Sequence, residues 1–234
     1  MLLTDLAVAA RKSGLSVVEV SGWRHRGHGV LASVDSIVCH HTATSRTASG
    51  DYPSIRVVRD GRPDLDGPLA NLGLGRNGTV YVIAAGVAYH AGATRQSWMD
   101  NWHSIGIEAE ADGLSSWPAA QMDAYARLCA ALCEHYAVPV ERVLGHKEVC
   151  QPAGRKSDPN FDMAAFRRRV AAVSREELDM DEKTLRKIIR EEARAAVDDV
   201  LDADMNANEP KGDKAFRRMS FRQAIKNIHK AVVK

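Results

Sequence analysis

Two hydrophobic periodicities divide the first 173 residues into strands and helices. Short apolar runs bounded by turn-forming residues predict strands, whereas apolar residues that recur every three to four positions predict helices. The predicted strands lie within residues 16–20, 36–40, 71–86 (a hairpin), 104–111 and 140–146. The predicted helices cover residues 4–13, 118–137 and 162–173, with one short helix in the loop 46–68. Strands interleaved with helices predict an α/β or α+β domain that ends near Val173.

The strand at 104–111 predicts two different faces. Side chains alternate between the two sides of a strand, so three apolar residues lie on one face and Glu108 and Glu110 lie on the other. We expect Glu110 to be an exposed charge.

The composition changes after Val173. Ser174 and Glu177 have the spacing of a capping box, which predicts that a new helix starts there, and apolar residues mark one face between 181 and 203. Residues 175–204 hold 6 Lys+Arg against 11 Asp+Glu, and residues 205–234 hold 8 against 2. We therefore predict a domain at 1–174 and a charged C-terminal helical tail at 175–234.

Composition and charge exclude several classes of protein. Hydrophobic residues make up 45% of the chain and charged residues 26%, a mixture typical of globular proteins. The sequence contains no run of about 18 apolar residues, so we expect no membrane span. The net charge of +2 gives no field that indicates a nucleic-acid partner. The first 14 residues are short for a signal peptide and contain Asp5, so we expect synthesis in a cytoplasm and four reduced cysteines.

Side chains with metal-binding or catalytic chemistry lie at the ends of the predicted strands and in the loop that follows the last one. They are His40 or His41, Glu108, His146, Lys156 and Asp158. Two histidines and a carboxylate suffice for catalytic zinc, which takes three protein ligands and leaves a fourth position to water. A carboxylate base and a lysine near the developing oxyanion would complete such a site. Each of these features alone is more often structural or merely exposed.

Four motifs follow one another in the chain: IVCHHTA, GRNGTVYVIAAGVAYHAG, SIGIEAE and GHKEVCQPAGRKSDP. In this order they resemble the zinc-dependent N-acetylmuramoyl-L-alanine amidases of type 2, which share their fold with the peptidoglycan recognition proteins. The resemblance covers roughly residues 18–170 and implies an α/β fold, with a central mixed β-sheet flanked by helices. Within the family, the sequence looks most like the amidase domains of bacteriophage endolysins.

The resemblance implies a role for each residue of the set. His40, His146 and Asp158 match the zinc (Zn2+) ligands, although some relatives have cysteine at the third position. Glu108 matches the catalytic glutamate, and Lys156 matches the lysine that stabilises the tetrahedral intermediate.

Three further residues are predicted to bind substrate. His90 of YHAG matches a histidine or neighbouring position that lines the substrate groove, and Arg155 precedes Lys156 in its loop. Asn71 lies where many relatives carry a tyrosine or histidine, so the role of such a tyrosine must pass to Glu108. His41 is expected to point elsewhere and to make a supporting hydrogen bond.

The resemblance implies hydrolysis of the amide between N-acetylmuramic acid and L-alanine of the stem peptide in peptidoglycan. The chain would then be an endolysin, made in the host cytoplasm and released to lyse the cell wall. Two alternatives stay open, a non-catalytic peptidoglycan-binding module and an amidase that recycles soluble muropeptides. A peptidase that acts within the stem is a third.

The tail also has two interpretations. Its helices either pack on each other or on the domain, or they bind partners. In the second case a basic helix, with Phe221, Ile225, Ile228 and Val232 on one face, contacts the anionic cell envelope. The acidic helix would then self-associate through its own apolar face, formed by Leu185, Ile189, Ala193, Val197 and Val200.

Overall fold

The computed structural model describes the backbone of residues 1–206 and the side chains of residues 1–175 and 182–195. The helices are α1 Leu6–Lys12, α2 Ile55–Asp60, α3 Ala119–Tyr136, α4 His146–Val149 and α5 Met163–Asn206. The strands are β1 Val17–Glu19, β2 Ser36–His41, β3 Gly61–Arg62, β4 Leu65–Asp66, β5 Leu72–Leu74, β6 Val80–Val82, β7 Ser104–Ala109 and β8 Val143–Gly145.

Six strands form one mixed sheet in the order β1-β6-β5-β7-β2-β8. The β5–β6 pair is the predicted hairpin and is antiparallel, whereas the other neighbouring strands are parallel. The predicted fold, a central mixed sheet flanked by helices, is confirmed. The short helix predicted within residues 46–68 is α2, but the β3–β4 ribbon that follows it was not predicted, because strands of two residues show no periodicity.

The main core lies between one face of this sheet and helices α1, α3 and the first turns of α5. Ile105 and Ile107 of β7 are fully buried there, as the alternation predicts, together with Tyr125 of α3 and Phe166 of α5. Complete burial of a side chain of this size contributes roughly 2–3 kcal/mol. All four cysteines are buried free thiols, and the Cys39 and Cys129 sulfurs are 3.9 Å apart.

A smaller apolar cluster lies on the opposite face of the sheet, beneath α2. It consists of Tyr52, Val58, Leu69, Ala70 and Ile83. This cluster covers the face on which Glu108 and Glu110 lie, and its edge borders the candidate site.

Glu110 belongs to this covered face, so the prediction that it is an exposed charge is wrong. Only 1% of its surface is exposed, and its carboxylate accepts hydrogen bonds from the Thr42 hydroxyl and from the Ser54 hydroxyl and backbone N–H, each 3.1 Å long. Glu110 thereby joins the end of β2 to the start of α2.

Helix α5 begins at Met163 and continues to Asn206, so the prediction of a separate helix start at Ser174 is wrong. Residues 174–180 contain neither glycine nor proline, and the Ser174 hydroxyl donates to the Val170 carbonyl, as serine does within helices. Within the described range no helix combines the length and the hydrophobicity that a membrane span needs.

The contacts divide the chain into two compact units, Met1–Asp179 and Met180–Lys234. In the second unit, Leu185, Ile188 and Ile189 of α5 are exposed. The predicted basic helix with Phe221 and Ile225 lies outside the described residues.

Candidate active site

Neighbouring strands place His40 and Glu108 side by side. The parallel register of β2 and β7 pairs His40 with Glu108, and the register of β7 and β5 pairs Glu108 with Gly73. The Tyr52 ring lies over Gly73, where a Cβ would be 2.4 Å from the ring, and its hydroxyl donates to the Glu108 carbonyl at 3.0 Å. Glu108 is therefore held between a histidine and an apolar wall.

His146 is the first residue of α4, because β8 ends one residue earlier than predicted, at Gly145. The Glu148 carboxylate accepts a hydrogen bond from the Gly145 N–H at 2.9 Å and so caps the start of the helix. Glu148 also forms a two-point ion pair with Arg167 of α5, at 2.9 and 3.1 Å. This pair fixes α4, and with it His146, against the long helix.

The side chains of His40, His146 and Asp158 converge on one point. The two Nδ1 atoms are 3.0 Å apart, and Asp158 Oδ2 is 3.1 Å from His40 Nδ1 and 3.2 Å from His146 Nδ1. Ligand atoms of a tetrahedral zinc with bonds of about 2.0–2.1 Å are separated by about 3.3 Å. The spacing of the three atoms therefore fits zinc.

The outer nitrogens of both histidines have acceptors within reach. His146 Nε2 lies 3.1 Å from the Ala91 carbonyl oxygen, and His40 Nε2 lies 3.2 Å from His90 Nδ1. Protons on the two Nε2 atoms leave lone pairs on both Nδ1 atoms, which face each other and a carboxylate. Two lone pairs and a carboxylate repel one another unless a cation or a proton lies between them. The chemistry of these three groups therefore also fits a metal.

Electrostatics prepare these ligands for metal binding at neutral pH. Burial lowers the pKa of His40 to about 4, so the ring is neutral. Burial alone would raise the pKa of Asp158, but the close contacts of its carboxylate with the His146 and His40 rings outweigh it and hold that pKa well below its usual range. A neutral imidazole and a carboxylate are the forms that bind metals.

Glu108 differs from an ordinary carboxylate. Burial, followed by the negative charge of Asp158, raises the pKa of Glu108 to about 8, and Lys156 offsets part of this rise. Its buried Oε2 atom has no hydrogen-bond partner among the described residues. A carboxyl group of this kind is suited to taking up and returning a proton near neutral pH.

An open cleft of about 330 Å³ runs over these groups. Glu108, Lys156, His146 and Asp158 line it, together with residues that the sequence did not indicate, among them Arg62, Leu65 and Tyr89. A second cleft of about 340 Å³ shares Thr42, Arg62, Leu69 and Glu108 with the first. The candidate catalytic groups therefore lie where an extended substrate can continue in two directions.

Asn71 lies inside the sheet, so the prediction that it binds substrate is corrected. Its side chain is fully buried, its amide group donates to the Ala84 and Gly86 carbonyls at 3.1 and 2.9 Å, and its oxygen accepts from the Gly106 N–H at 3.0 Å. These bonds leave no part of Asn71 facing the cleft.

Arg155 lines the cleft but is largely engaged by backbone. It donates to the carbonyls of Gln151 at 3.0 Å, Ala93 at 2.9 Å and Ala91 at 3.3 Å, which joins two loops beside the site. Its contact with substrate stays a prediction.

The other two histidines at the cleft, His90 and His41, have surroundings that differ from those predicted. His90 borders the cleft but is only 6% exposed and lies against His40, so its role in substrate binding also stays a prediction. His41 faces the cleft, and its buried Nδ1 has no partner within the described residues, so the expected supporting hydrogen bond is not formed there.

Several solved structures share this architecture. AmpD is 24% identical over 72% of this chain and 99% of that chain, with a TM-score of 0.52. The endolysin amidase LysCS from Clostridium intestinale is 20% identical over 67% and 95%, with a TM-score of 0.50. The catalytic domain of XlyA is 18% identical over 67% and 99%, with a TM-score of 0.51. At these identities the likeness shows a common fold. No curated protein sequence matches the chain.

The sequence itself matches a family profile over residues 31–161, more than half of the chain. That range contains His40, Glu108, His146 and Asp158. The profile is Amidase_2, described as N-acetylmuramoyl-L-alanine amidase. The chain therefore belongs to the N-acetylmuramoyl-L-alanine amidase family.

Proposed function

We propose that this chain is a zinc-dependent amidase that hydrolyses the bond between N-acetylmuramic acid and L-alanine of the stem peptide in peptidoglycan. One observation carries the proposal: the inward nitrogens of His40 and His146 and the Asp158 carboxylate lie within 3.2 Å of one another, in a cleft that Glu108 also lines. Family membership supplies the bond to be cleaved.

His40, His146 and Asp158 would hold the zinc ion. When bound, zinc polarises a carbonyl and lowers the pKa of a water to about 7. Glu108 acts as the general base, taking a proton from the attacking water and passing it to the leaving amine. A divalent cation nearby favours the carboxylate form of Glu108, so its pKa falls below the value of about 8 that burial gives it here.

Lys156 supplies the second positive charge of the site. Its side chain lines the same cleft as Glu108 and Asp158. An ammonium group there stabilises the oxyanion that develops as water adds to the carbonyl. One such donor typically contributes about 100- to 1000-fold in rate.

A non-catalytic peptidoglycan-binding module is less well supported. Binding alone needs neither a convergent ligand set nor a carboxyl group whose pKa is raised to about 8. The chain retains both, and they lie in the same cleft.

The biological role that we propose is that of an endolysin. The order of the four sequence motifs, which looks most like that of endolysin amidase domains, supports it. In this proposal the enzyme is made in the host cytoplasm and acts on the cell wall after release, and the basic segment 205–234 contacts the anionic cell envelope.

The decisive experiment is mass spectrometry of purified peptidoglycan digested with the zinc-loaded chain. Intact glycan strands and free stem peptides that begin with L-alanine are expected. Cleavage within the stem, or no cleavage, would contradict the proposal. The Glu108→Gln variant serves as the matched control for contaminating hydrolases. Parallel digestion of soluble muropeptides separates a wall-lytic enzyme from a recycling amidase, which would act on the soluble substrate and spare intact walls.

A further inference from the structure

We propose that His90 and Asn101 are positioning residues of the metal site, which fix the orientation and the tautomer of both histidine ligands. This inference rests on the proposed zinc site. It gives His90 a role other than the predicted contact with substrate, and it gives a role to Asn101, which neither the sequence motifs nor the mechanism had used.

The first support for His40 is a line of hydrogen-bonding atoms behind it. His40 Nε2 lies 3.2 Å from His90 Nδ1, and His90 Nε2 lies 3.3 Å from the Ser104 oxygen. The Ser104 hydroxyl in turn lies 2.5 Å from the Asp100 carbonyl oxygen. A carbonyl can only accept, so Ser104 donates to Asp100 and its oxygen accepts from His90 Nε2.

The Asp100 carbonyl at the end of this chain of hydrogen bonds determines which nitrogen of each histidine carries the proton. A proton on His90 Nε2 makes His90 Nδ1 an acceptor, so His40 Nε2 must donate to it. The lone pair of His40 is then on Nδ1, the atom that faces His146 and Asp158. One arrangement of protons satisfies all of these groups, and it is the arrangement that metal binding by His40 Nδ1 requires.

The backbone of β7 makes room for the His90 ring. The ring lies against Gly106, where an added Cβ would be 2.4 Å from His90 Cγ. Any larger residue at 106 would push the ring out of line with His40. The position of His90 is thus set by the sheet that carries Glu108 two residues further on.

Asn101 supports both ligands through one oxygen atom. Its Oδ1 accepts hydrogen bonds from the backbone N–H groups of His90, at 3.0 Å, and Ala91, at 2.8 Å. His90 then accepts from His40, while the Ala91 carbonyl accepts from His146 Nε2 at 3.1 Å. Because Asn101 is 8% exposed, water cannot readily replace it.

Partners of this kind, which hold the outer nitrogen of a histidine ligand, typically contribute 10- to 100-fold to metal affinity. We expect His90→Leu, which removes the acceptor, to weaken zinc binding to the full chain by about this factor. His90→Asn is the matched control, since its amide oxygen can accept in place of Nδ1, and its affinity should stay closer to that of the natural chain. Affinity is measured by competition with a chromophoric chelator, and cobalt(II) absorption reports the ligand geometry.

A second pair of variants tests the backbone support. Asn101→Leu should weaken zinc binding, whereas Asn101→Asp keeps an acceptor oxygen and should retain more of it. Circular dichroism and melting of the metal-free chains show whether each variant is folded. If one leucine variant does not fold, the pair of variants at the other position decides whether the positioning role holds.

The outcomes separate the two proposals. If the unaltered chain binds no zinc, the proposed site and this inference both fail. The unaltered chain can also bind zinc while the folded leucine variants have the same zinc affinity and cobalt spectrum as that chain, or as His90→Asn and Asn101→Asp. In that case only the positioning role is overturned.

Discussion

His40 and Glu108 are paired residues of two neighbouring parallel strands, so a metal ligand and the proposed general base are separated by one strand spacing, about 4.8 Å between backbones. Glu108→Gln keeps the shape of the side chain and removes its ability to accept a proton. Turnover should fall by about 100- to 10,000-fold while the zinc content is unchanged. Amidase rates and metal analysis of the same preparations check this, and a variant with nearly full activity would exclude Glu108 as the base.

Glu108 should also make the stability of the metal-free chain depend on pH. Its pKa is raised from 4.5 to about 8 in the folded state, so between these values the folded chain holds a proton that the unfolded chain has lost. The free energy of unfolding should therefore fall as the pH rises through this window, by at most about 5 kcal/mol.

The measurement is denaturant unfolding of the metal-free chain and of its Glu108→Gln variant between pH 5.5 and 8.5. The amide does not titrate, so the difference between the two curves isolates Glu108 from His40, whose lowered pKa acts in the opposite direction at acid pH. Parallel curves would show that Glu108 is not held protonated in the folded chain.

The ligand set predicts how metal content responds to substitution. His146→Ala and Asp158→Ala each leave two ligands, so bound zinc and activity should both be lost. Asp158→Cys supplies a thiolate, which zinc also accepts, and should keep the metal. Zinc content after dialysis checks these expectations, and full occupancy in His146→Ala would rule out this ligand set.

Lys156 should contribute to rate without contributing to metal binding. Removal of its charge in Lys156→Ala should lower the rate by about 100- to 1000-fold and leave zinc in place. Lys156→Arg keeps the charge with a different shape and should recover part of the rate. If the alanine variant lost zinc, or worked at the natural rate, the oxyanion role would be wrong.

The sequence predicted the residues that strand ends bring together, and it failed where burial depends on distant segments. Strand ends alone left both His40 and His41 open, and the family resemblance selected His40. Glu108 and His146 follow from their predicted strands, and Asp158 follows from motif order. Glu110 was expected to be exposed because alternation identifies a face but does not show that α2 covers it.

Asn71 was misjudged for a related reason. Its position in the family pattern indicates a groove, but its amide spans three backbone groups from separate segments, a relationship that no local pattern contains. The helix start at Ser174 was wrongly predicted because serine is a common residue at helix caps, while the turns before it were already helical.

Truncation tests what the C-terminal segment does. The described side chains that α5 buries in the core, among them Phe166 and Val170, lie in its first turns, so a chain ending at Asp179 keeps them. It should cleave soluble muropeptides at the full rate. We expect it to bind purified cell walls more weakly than the full chain, because it lacks the basic segment 205–234, in which each Lys or Arg near an anionic surface contributes about 1 kcal/mol.

A chain ending at residue 206 separates the two proposed roles of the tail. It keeps the acidic helix with exposed Leu185 and Ile189 and loses the basic segment. If basic charge anchors the enzyme, this chain should bind walls as weakly as the 179-residue chain. The difference in wall affinity between the full chain and the two shorter chains should then shrink at high salt, because screening weakens binding of the full chain most. If the acidic helix self-associates, sedimentation velocity should find oligomers of the 206-residue chain and monomers of the 179-residue chain. Equal wall binding by all three chains at low salt would show that the tail is not the anchor.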